Sequence, residues 1–424
     1  METNTNDGTW VGWKILATVG LWYAALITHS VQAAAVIVPT APSGFTMSPG
    51  APDGGAGSST GSGGGLGAGV LDGLSVVTSL SGTYDSNVSK SPGLPLAPIQ
   101  DDFILTLGGR VDYLSKSSDF TFGGGYRGSY NEYFSQSVFS GYNQGGGVVA
   151  NYEGGKFSAT FTGGISIEQG SNQNYASAFV KQTSYTAALN ARYRISPKTS
   201  LQGDIGENFS SASGGNFNNT QSFNLGASAL WRYSPLTELG PGLRYTYVSG
   251  SAQTGRTSIG PTLTVNYKLS SKVALNSRVG MDFASYQNGG TADPTVSAAV
   301  GLNYEASKLW GVNFSLFRDT QADPSQAGAF NEVTSLRLGY RRKIQRATFN
   351  LGTGYTMNRT ERPANVSSGA AVDRSFLNVD GSLGMAVLSN TCFANVFFRY
   401  GDQSGSATDS WDSFQVGFGI SRGF

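Results

Sequence analysis

Apolar residues recur at every second position from Leu74 to the end of the chain. The pattern divides into about eighteen segments of about ten residues each. In one of these segments Tyr185 and Leu189 share a register, whereas Arg192 lies in the other. Side chains of a β-strand point alternately to the two faces of a sheet, so each segment predicts a strand with one apolar and one polar face. Since the same alternation of apolar and polar residues continues to Phe424, we predict an all-β region.

The connections between the segments alternate in length. Short connections such as "SKSSD" and "EGGK" follow even-numbered segments, and longer polar connections such as 86–101 and 358–373 follow odd-numbered ones. This alternation predicts an up-and-down antiparallel meander of about 18 strands, with both ends on the short-turn side. A count of 16 stays open if 144–153 and 391–401 are loops.

Aromatic residues in the apolar register mark the ends of the segments. The even-numbered segments finish with the residues Tyr113, Tyr152, Tyr193, Tyr233, Tyr267, Tyr304, Tyr340 and, at the end of the last one, Phe424. Several odd-numbered segments carry a tyrosine near their other end, for example Tyr84 and Tyr355. Tyrosine and phenylalanine at two fixed levels are typical of the two interfaces of a membrane.

A transmembrane β-barrel explains the alternation, the connections and the aromatic levels together. Hydrocarbon offers no hydrogen-bond partners, so a sheet that spans it must close without an edge. Tilted strands of about ten residues match the hydrocarbon thickness. We therefore predict a transmembrane up-and-down antiparallel β-barrel in contact with outer-membrane lipid and lipopolysaccharide. A secreted soluble β protein is the alternative.

The first 73 residues differ from the rest. Lys14, the apolar run from Ile15 to Ile27 and the small residues up to Ala33 are typical of a secretory signal peptide. We predict cleavage near Ala33; an uncleaved anchor is the alternative. Residues 34–73 are rich in glycine and serine and predict a flexible periplasmic linker. The predicted organisation is thus 1–33 signal peptide, 34–73 linker and 74–424 outer-membrane β-barrel.

Both ends of the predicted barrel resemble known bacterial sequences. The C-terminal "FQVGFGISRGF" is similar to the signal that the barrel-assembly machinery recognises, which ends on an aromatic residue after alternating apolar ones. The matching residues are Phe414, Val416, Phe418, Ile420 and Phe424. Arg422 departs from that pattern. In the first strand, the step Tyr84-Asp85-Ser86-Asn87 resembles the putative β-barrel porin 2 family. The resemblance implies a bacterial outer-membrane β-barrel of the porin type.

The composition argues against several other functions. Charged residues make up 13% of the chain and the net charge is +1, which does not favour nucleic-acid binding. The single histidine, His29, lies in the predicted signal peptide, so a mature chain could not hold a Ser-His-Asp arrangement. One cysteine and no other histidine do not favour a zinc site. We therefore predict no enzyme, no metal and no cofactor.

Charged residues in the polar register are candidates for the lining of a pore. They are Arg110, Asp112, Arg127, Arg192, Arg244, Arg278, Asp282, Arg337 and Arg399. Asp204 and Asp380 are further acidic candidates. Since basic residues outnumber acidic ones, this set predicts a mild anion preference. The alternative is that the charges pair across strands and only hydrate the wall.

A barrel of 16 to 18 strands is wide enough to leave an aqueous channel. We therefore predict a porin-like channel for passive diffusion of small hydrophilic solutes. Two alternatives stay open: the barrel component of an exopolysaccharide export or surface-assembly system, and a structural or adhesive outer-membrane barrel. The sequence does not decide whether the chain forms a homo-oligomer.

Overall fold

The computed structural model describes most of the chain after residue 72. The described ranges are 73–91, 93, 98–171, 179–213, 217–250, 255–270, 272–287, 289–323, 329–361, 373–387, 391–405 and 410–424. The predicted signal peptide 1–33 and, apart from Gly73, the predicted linker 34–73 lie outside the described residues. Within these ranges, no helix is both long and apolar enough to span a membrane.

The described chain forms 18 β-strands in one sheet. Their bounds are β1 Leu74–Asp85, β2 Asp102–Lys116, β3 Phe120–Tyr133, β4 Gly141–Glu153, β5 Phe157–Ser171, β6 Phe179–Arg194, β7 Thr199–Ser213, β8 Thr220–Ser234, β9 Thr237–Gly250, β10 Gly255–Ser270, β11 Val273–Tyr286, β12 Thr295–Ser307, β13 Trp310–Ala322, β14 Phe330–Ile344, β15 Ala347–Glu361, β16 Arg374–Ala386, β17 Cys392–Ser404 and β18 Trp411–Gly423. A short 3-10 turn, Ser137–Phe139, lies between β3 and β4. The predicted count of 18 is confirmed, and the count of 16 is wrong because 144–153 and 391–401 lie within strands β4 and β17.

The sheet closes on itself. Each strand pairs with its neighbours in sequence, and β1 also pairs antiparallel with β18. Leu80 of β1 lies opposite both Ile420 of β18 and Leu107 of β2. Closure leaves no strand edge exposed, so the predicted up-and-down antiparallel barrel is confirmed.

The strands are longer than the predicted segments. They range from 12 residues in β1 to 16 residues in β6. A tilted strand needs only about 9–11 residues to cross a bilayer. The strands therefore have residues to spare, and β13 and β14 stay paired up to Ala322 and Phe330 beside the connection 323–329.

The two faces of the wall differ as the alternation predicts. One register of each strand presents large apolar side chains to the surroundings, such as Leu107 (63% exposed), Phe418 (58%) and Leu263 (51%). We call this face outward. The opposite register, which faces the lumen, carries residues such as Thr106 and Ser258, which are buried. A continuous exposed apolar belt of this kind requires an apolar medium or partner around it.

Candidate functional site: the lumen of the barrel

The predicted pore-lining residues all lie in the inward register. Arg110 and Asp112 belong to β2, Arg127 to β3, Arg192 to β6, Arg244 to β9, Arg278 and Asp282 to β11, Arg337 to β14 and Arg399 to β17. Their environments differ, however. Those on β2 and β3 are half-exposed, those on β6, β9 and β11 form more buried ion pairs, and Arg337 and Arg399 belong to neither set.

The exposed group lies on β2 and β3. The Arg110 side chain is 61% exposed and lies 2.6 Å from the Asp112 carboxylate. The Arg127 side chain is 57% exposed, and its guanidinium is 3.7 Å from Glu168 of β5. The inward positions around them include Gly125 and Gly145, which present no side chain to the lumen. This wall therefore keeps its charges accessible.

The paired group lies on β6 to β13. The Arg192 guanidinium is 2.8 Å from Glu238, and that of Arg278 is 2.7 Å from Asp204. Arg244 pairs with Asp282 at 3.4 Å and also with Asp319. The carboxylates of Asp204 and Asp282 are only 7% and 6% exposed. Charge pairing, which the sequence left as an alternative, is therefore observed with low exposure for these three arginines and, at more exposed sites, for Arg110 and Arg127 as well.

The wall bends inward where these pairs form. Residues of β8 and β9 come within 8 Å of residues of β13 (Cα to Cα), although β10, β11 and β12 lie between them in the sheet. The bend coincides with two Gly-Pro steps in adjacent strands, Gly240-Pro241 and Gly260-Pro261. A Cβ atom at Gly240 would lie 1.8 Å from the carbonyl oxygen of Ala229, and one at Gly260 would lie 1.9 Å from that of Met281. Only glycine permits such an approach.

Sequence reasoning missed this bend, although its signal is present in the chain. Proline cannot donate to the ladder of a central strand, and a preceding glycine marks a bend or close backbone contact. Both Gly-Pro steps lie inside strands, and Gly260 pairs with Arg244 in the register of β9 and β10. The two steps therefore mark the place where Arg244 reaches across the lumen.

Of the remaining predicted lining residues, Arg399 is linked to the last strand. Its Nη1 donates to Oε1 of Gln415 at 3.4 Å. Arg337 of β14 lies opposite Gly354 of β15 and, like Arg399, has an inward register. Within the described ranges, no cluster of three or more histidine, cysteine or acidic residues could hold a metal ion.

The long-connection mouth has a buried clasp between the first and last strands. Nζ of Lys90 lies 2.9 Å from Oδ2 of Asp85, and the two side chains are 8% and 4% exposed. The Asp85 carboxylate also accepts hydrogen bonds from Ser413 Oγ and Gln415 Nε2, both at 2.7 Å. Asn87 donates through Nδ2 to the carbonyl oxygen of Asp412 at 3.0 Å. Burial lowers the pKa of Lys90 below that of an ordinary lysine, and the Asp85 carboxylate opposes this shift.

A second carboxylate fixes the next long connection. Asp102 of β2 is 4% exposed and lies opposite Asp85 in the register of β1 and β2. Its oxygens accept the backbone N–H groups of Ser135 at 2.9 Å and Gln136 at 2.8 Å. The mouth on this side is thus built from strand-end carboxylates that bind loop residues.

The aromatic residues predicted as an interface ring lie in the outward register at the short-turn ends. Tyr113, Tyr152, Tyr193, Tyr233, Tyr304 and Phe424 are between 37% and 70% exposed, and Tyr267 and Tyr340 are partly buried. Sequence reasoning missed their partners at the start of the following strands. Trp310 contacts Tyr304 with ring centroids 5.4 Å apart, and Phe157 contacts Tyr152 at 6.0 Å.

The residues of the predicted assembly signal lie outward on β18 or directly after it. Phe414, Val416, Phe418 and Ile420 of β18 and the following Phe424 are all exposed. The departure at Arg422 has a local explanation, because its guanidinium lies 5.0 Å from the centroid of the Phe424 ring. A cation over an aromatic face is a favourable contact, so the charge is accommodated at the end of the outward register.

Known proteins resemble the chain over part of its sequence and in its fold. Residues 199–344, from the start of β7 to the end of β14, match the family described as Putative beta-barrel porin 2. No curated protein matches the chain. The predicted family resemblance is therefore confirmed, but on about a third of the chain that does not include Tyr84-Asp85-Ser86-Asn87.

Several solved structures match the chain at low sequence identity. The outer membrane protein OpdK from Pseudomonas aeruginosa is 12% identical, with a TM-score of 0.42 over 84% of this chain and 100% of that one. OccAB3 from Acinetobacter baumannii is 12% identical, with a TM-score of 0.41 over 84% and 100%. The FrpB iron transporter from Neisseria meningitidis is 9% identical, with a TM-score of 0.42 over 84% and 82%. The described residues thus form a closed antiparallel barrel of 18 strands, and its β7–β14 segment matches the family described as Putative beta-barrel porin 2.

Proposed function

We propose that the chain is an outer-membrane channel through which small hydrophilic solutes diffuse passively. One observation carries the proposal: a closed wall of 18 strands is apolar outside, and on β2 and β3 it presents accessible charges to the lumen. Barrels of this strand number leave room for water. The barrel then acts as a conduit for solutes and not as an enzyme.

We also propose an orientation for the barrel and the molecules that surround it. The short turns and Phe424 face the periplasm, and the long connections face the outside, as is usual for such barrels. A signal peptide directs export, and the outward residues of β18 direct assembly by the barrel-assembly machinery. Lipid and lipopolysaccharide then cover the exposed apolar belt, with the aromatic residues at the interfaces.

Conductance in planar lipid bilayers tests the proposal. The purified full-length protein should insert and produce discrete, long-lived current steps in symmetric salt. A protein that is folded, as shown by migration that changes on boiling before electrophoresis, and yet carries no current would contradict it. The migration on the gel reports folding and the current reports conduction, so the two properties are tested independently.

Neutralising an accessible lumen charge should change ion selectivity. Arg127→Gln leaves Glu168 without its cation on the open wall, so the preference should move towards cations. A unit charge acting across about 10 Å of water contributes about 0.4 kcal/mol, with opposite signs for a cation and an anion, so the permeability ratio should change by up to about fourfold. The reversal potential in a salt gradient measures this permeability ratio.

The matched control removes an arginine from the outward register. Arg422→Gln changes the net charge equally, but Arg422 lies beside Phe424 on the outer face. Its reversal potential should equal that of the unaltered protein. Equal shifts for both variants would show that overall charge, and not the β3 wall, sets the selectivity.

A further inference from the structure

The ion pairs on the bent side of the barrel join strands that are not neighbours. Arg278 of β11 binds Asp204 of β7, and Arg244 of β9 binds Asp319 of β13. Neighbouring strands lie about 4.8 Å apart, so strands four positions apart on a smooth wall are separated by about 19 Å along it. An arginine side chain cannot span that distance, and the pairs therefore require the wall to fold inward.

The backbone and the burial agree with that requirement. Ser228 of β8 and Thr262 of β10 face the lumen and are only 5% and 7% exposed. A Cβ atom at Gly242 would lie 2.4 Å from Ser228 Oγ and 2.7 Å from Thr262 Oγ1. Ser166, an inward residue of β5, is more accessible, whereas Thr106 of β2 is buried closer to the long connections. Solutes thus have little access to the inward face around Ser228.

An apolar cluster forms at the long-connection ends of the same strands. Val248 of β9, Tyr286 of β11, Ala322 of β13 and Phe330 of β14 pack together and are 1–9% exposed. The rings of Tyr286 and Phe330 have centroids 5.6 Å apart. Apolar packing at this end and ion pairs further along the strands hold the folded wall at two levels.

We propose that Asp204–Arg278 and Asp282–Arg244–Asp319, here called the cross-lumen brace, limit the size of solute that the pore admits. This inference rests on the proposed function. The brace holds β7–β13 as a closed lobe and leaves the conducting path beside β2–β5. Arg244 and Arg278 are then positioning residues that act through the wall, whereas Arg110 and Arg127 meet the solute.

Removing the central arginine tests the brace. In Arg244→Met, the buried carboxylate of Asp282 and the partly buried one of Asp319 lose their cation, and the wall should relax outward. The largest neutral polyethylene glycol that still lowers the conductance should increase in size, and the conductance should rise about 1.5- to 2-fold because the lumen is wider. The neutral polymer matters, because its exclusion does not depend on the charge that the substitution removes.

Accessibility of a single cysteine gives a readout that needs no current. With Cys392→Ser as background, Ser228→Cys should react slowly with a membrane-impermeant maleimide, and adding Arg244→Met should raise the rate about tenfold. Ser166→Cys on the open wall should react at the same rate with and without Arg244→Met. Unchanged reactivity at Ser228→Cys would overturn the brace even if the protein did not conduct.

A charge swap guards against loss of folding. Arg278→Asp places two carboxylates together and should open the lobe, whereas Asp204→Arg/Arg278→Asp re-forms the pair and should restore slow labelling and the original exclusion size. If the swap behaves like the single variant, the pair is not the brace. A wild-type protein that labels as expected but carries no current would contradict the proposed channel and leave the brace intact.

Discussion

Replacing Asp85 with asparagine should lower the free energy of unfolding of the barrel by about 3 kcal/mol, in the range expected when one partner of a buried ion pair is removed. The substitution preserves size but removes the charge that balances Lys90. The Lys90 ammonium would then remain buried, with its side chain only 8% exposed. Loss of the carboxylate also weakens the hydrogen bonds from Ser413 and Gln415.

The location of the pair explains why the whole barrel should respond. Ser413 and Gln415 belong to the last strand, and Asp85 ends the first one. Asn87 adds a bond to the carbonyl oxygen of Asp412. The clasp therefore stabilises the single pairing that closes the sheet, and without that pairing both β1 and β18 would expose an edge. Urea unfolding in vesicles measures the loss of unfolding free energy. On electrophoresis after heating, the variant should change its migration at a lower temperature than the unaltered protein.

An exposed pair on the neighbouring strand supplies the control. Asp112 lies 2.6 Å from Arg110, but the two side chains are 34% and 61% exposed. Asp112→Asn should therefore cost less than about 1 kcal/mol. In Asp85→Asn/Lys90→Met no unpaired charge stays buried, so part of the stability should return. Equal losses for Asp85→Asn and Asp112→Asn would remove the argument for a clasp.

The strand count and closure could be predicted because they depend on local rules. Alternation at residues such as Leu189 and Asn190 depends only on the pleat of one strand, and the alternating short and long connections set the order of the strands. Membrane energetics then demand closure. Each step uses neighbouring residues, which the sequence displays directly.

The division of the lumen could not be predicted in the same way. Arg127 and Arg244 share an inward register, yet one is 57% exposed and the other 15%. The difference depends on contacts between β9 and β13, which lie far apart in the chain. The Gly-Pro steps indicate that the strands bend, but they do not predict how far the wall is displaced towards the lumen. The alternation along each strand predicts which face of the wall a side chain occupies. Its ion-pair partner is known only once the wall is folded.

The clasp shows a related limit. Tyr84-Asp85-Ser86-Asn87 was recognised as a family resemblance, but the motif did not reveal what its residues contact. Asn87 reaches Asp412, which is 325 positions away in the chain. A motif of four residues carries no information about such a distant partner until the register of β1 and β18 is known.

An arginine placed on the outward face should be costly in a depth-dependent way. Leu189 of β6 is outward and 39% exposed, and lies opposite Phe161 and Ile205 on the adjoining strands. Leu189→Arg should destabilise the barrel by about 2–4 kcal/mol if this level is the middle of the membrane. At Tyr193, four positions nearer the short turns, the cost of arginine should fall to about 0–1 kcal/mol. Urea titration in phospholipid vesicles, followed by tryptophan fluorescence, measures both.

The inward register of the same strand provides the matched control. Thr186 lies three positions before Leu189 but faces the lumen, opposite Gly164 and Asn208. Because an arginine there meets water and not lipid, Thr186→Arg should change the unfolding free energy far less than Leu189→Arg. A soluble barrel would not produce the difference between Leu189 and Tyr193, since water surrounds both positions equally. Equal losses of unfolding free energy for arginine at Leu189 and at Tyr193 would therefore contradict a membrane around this level of the wall.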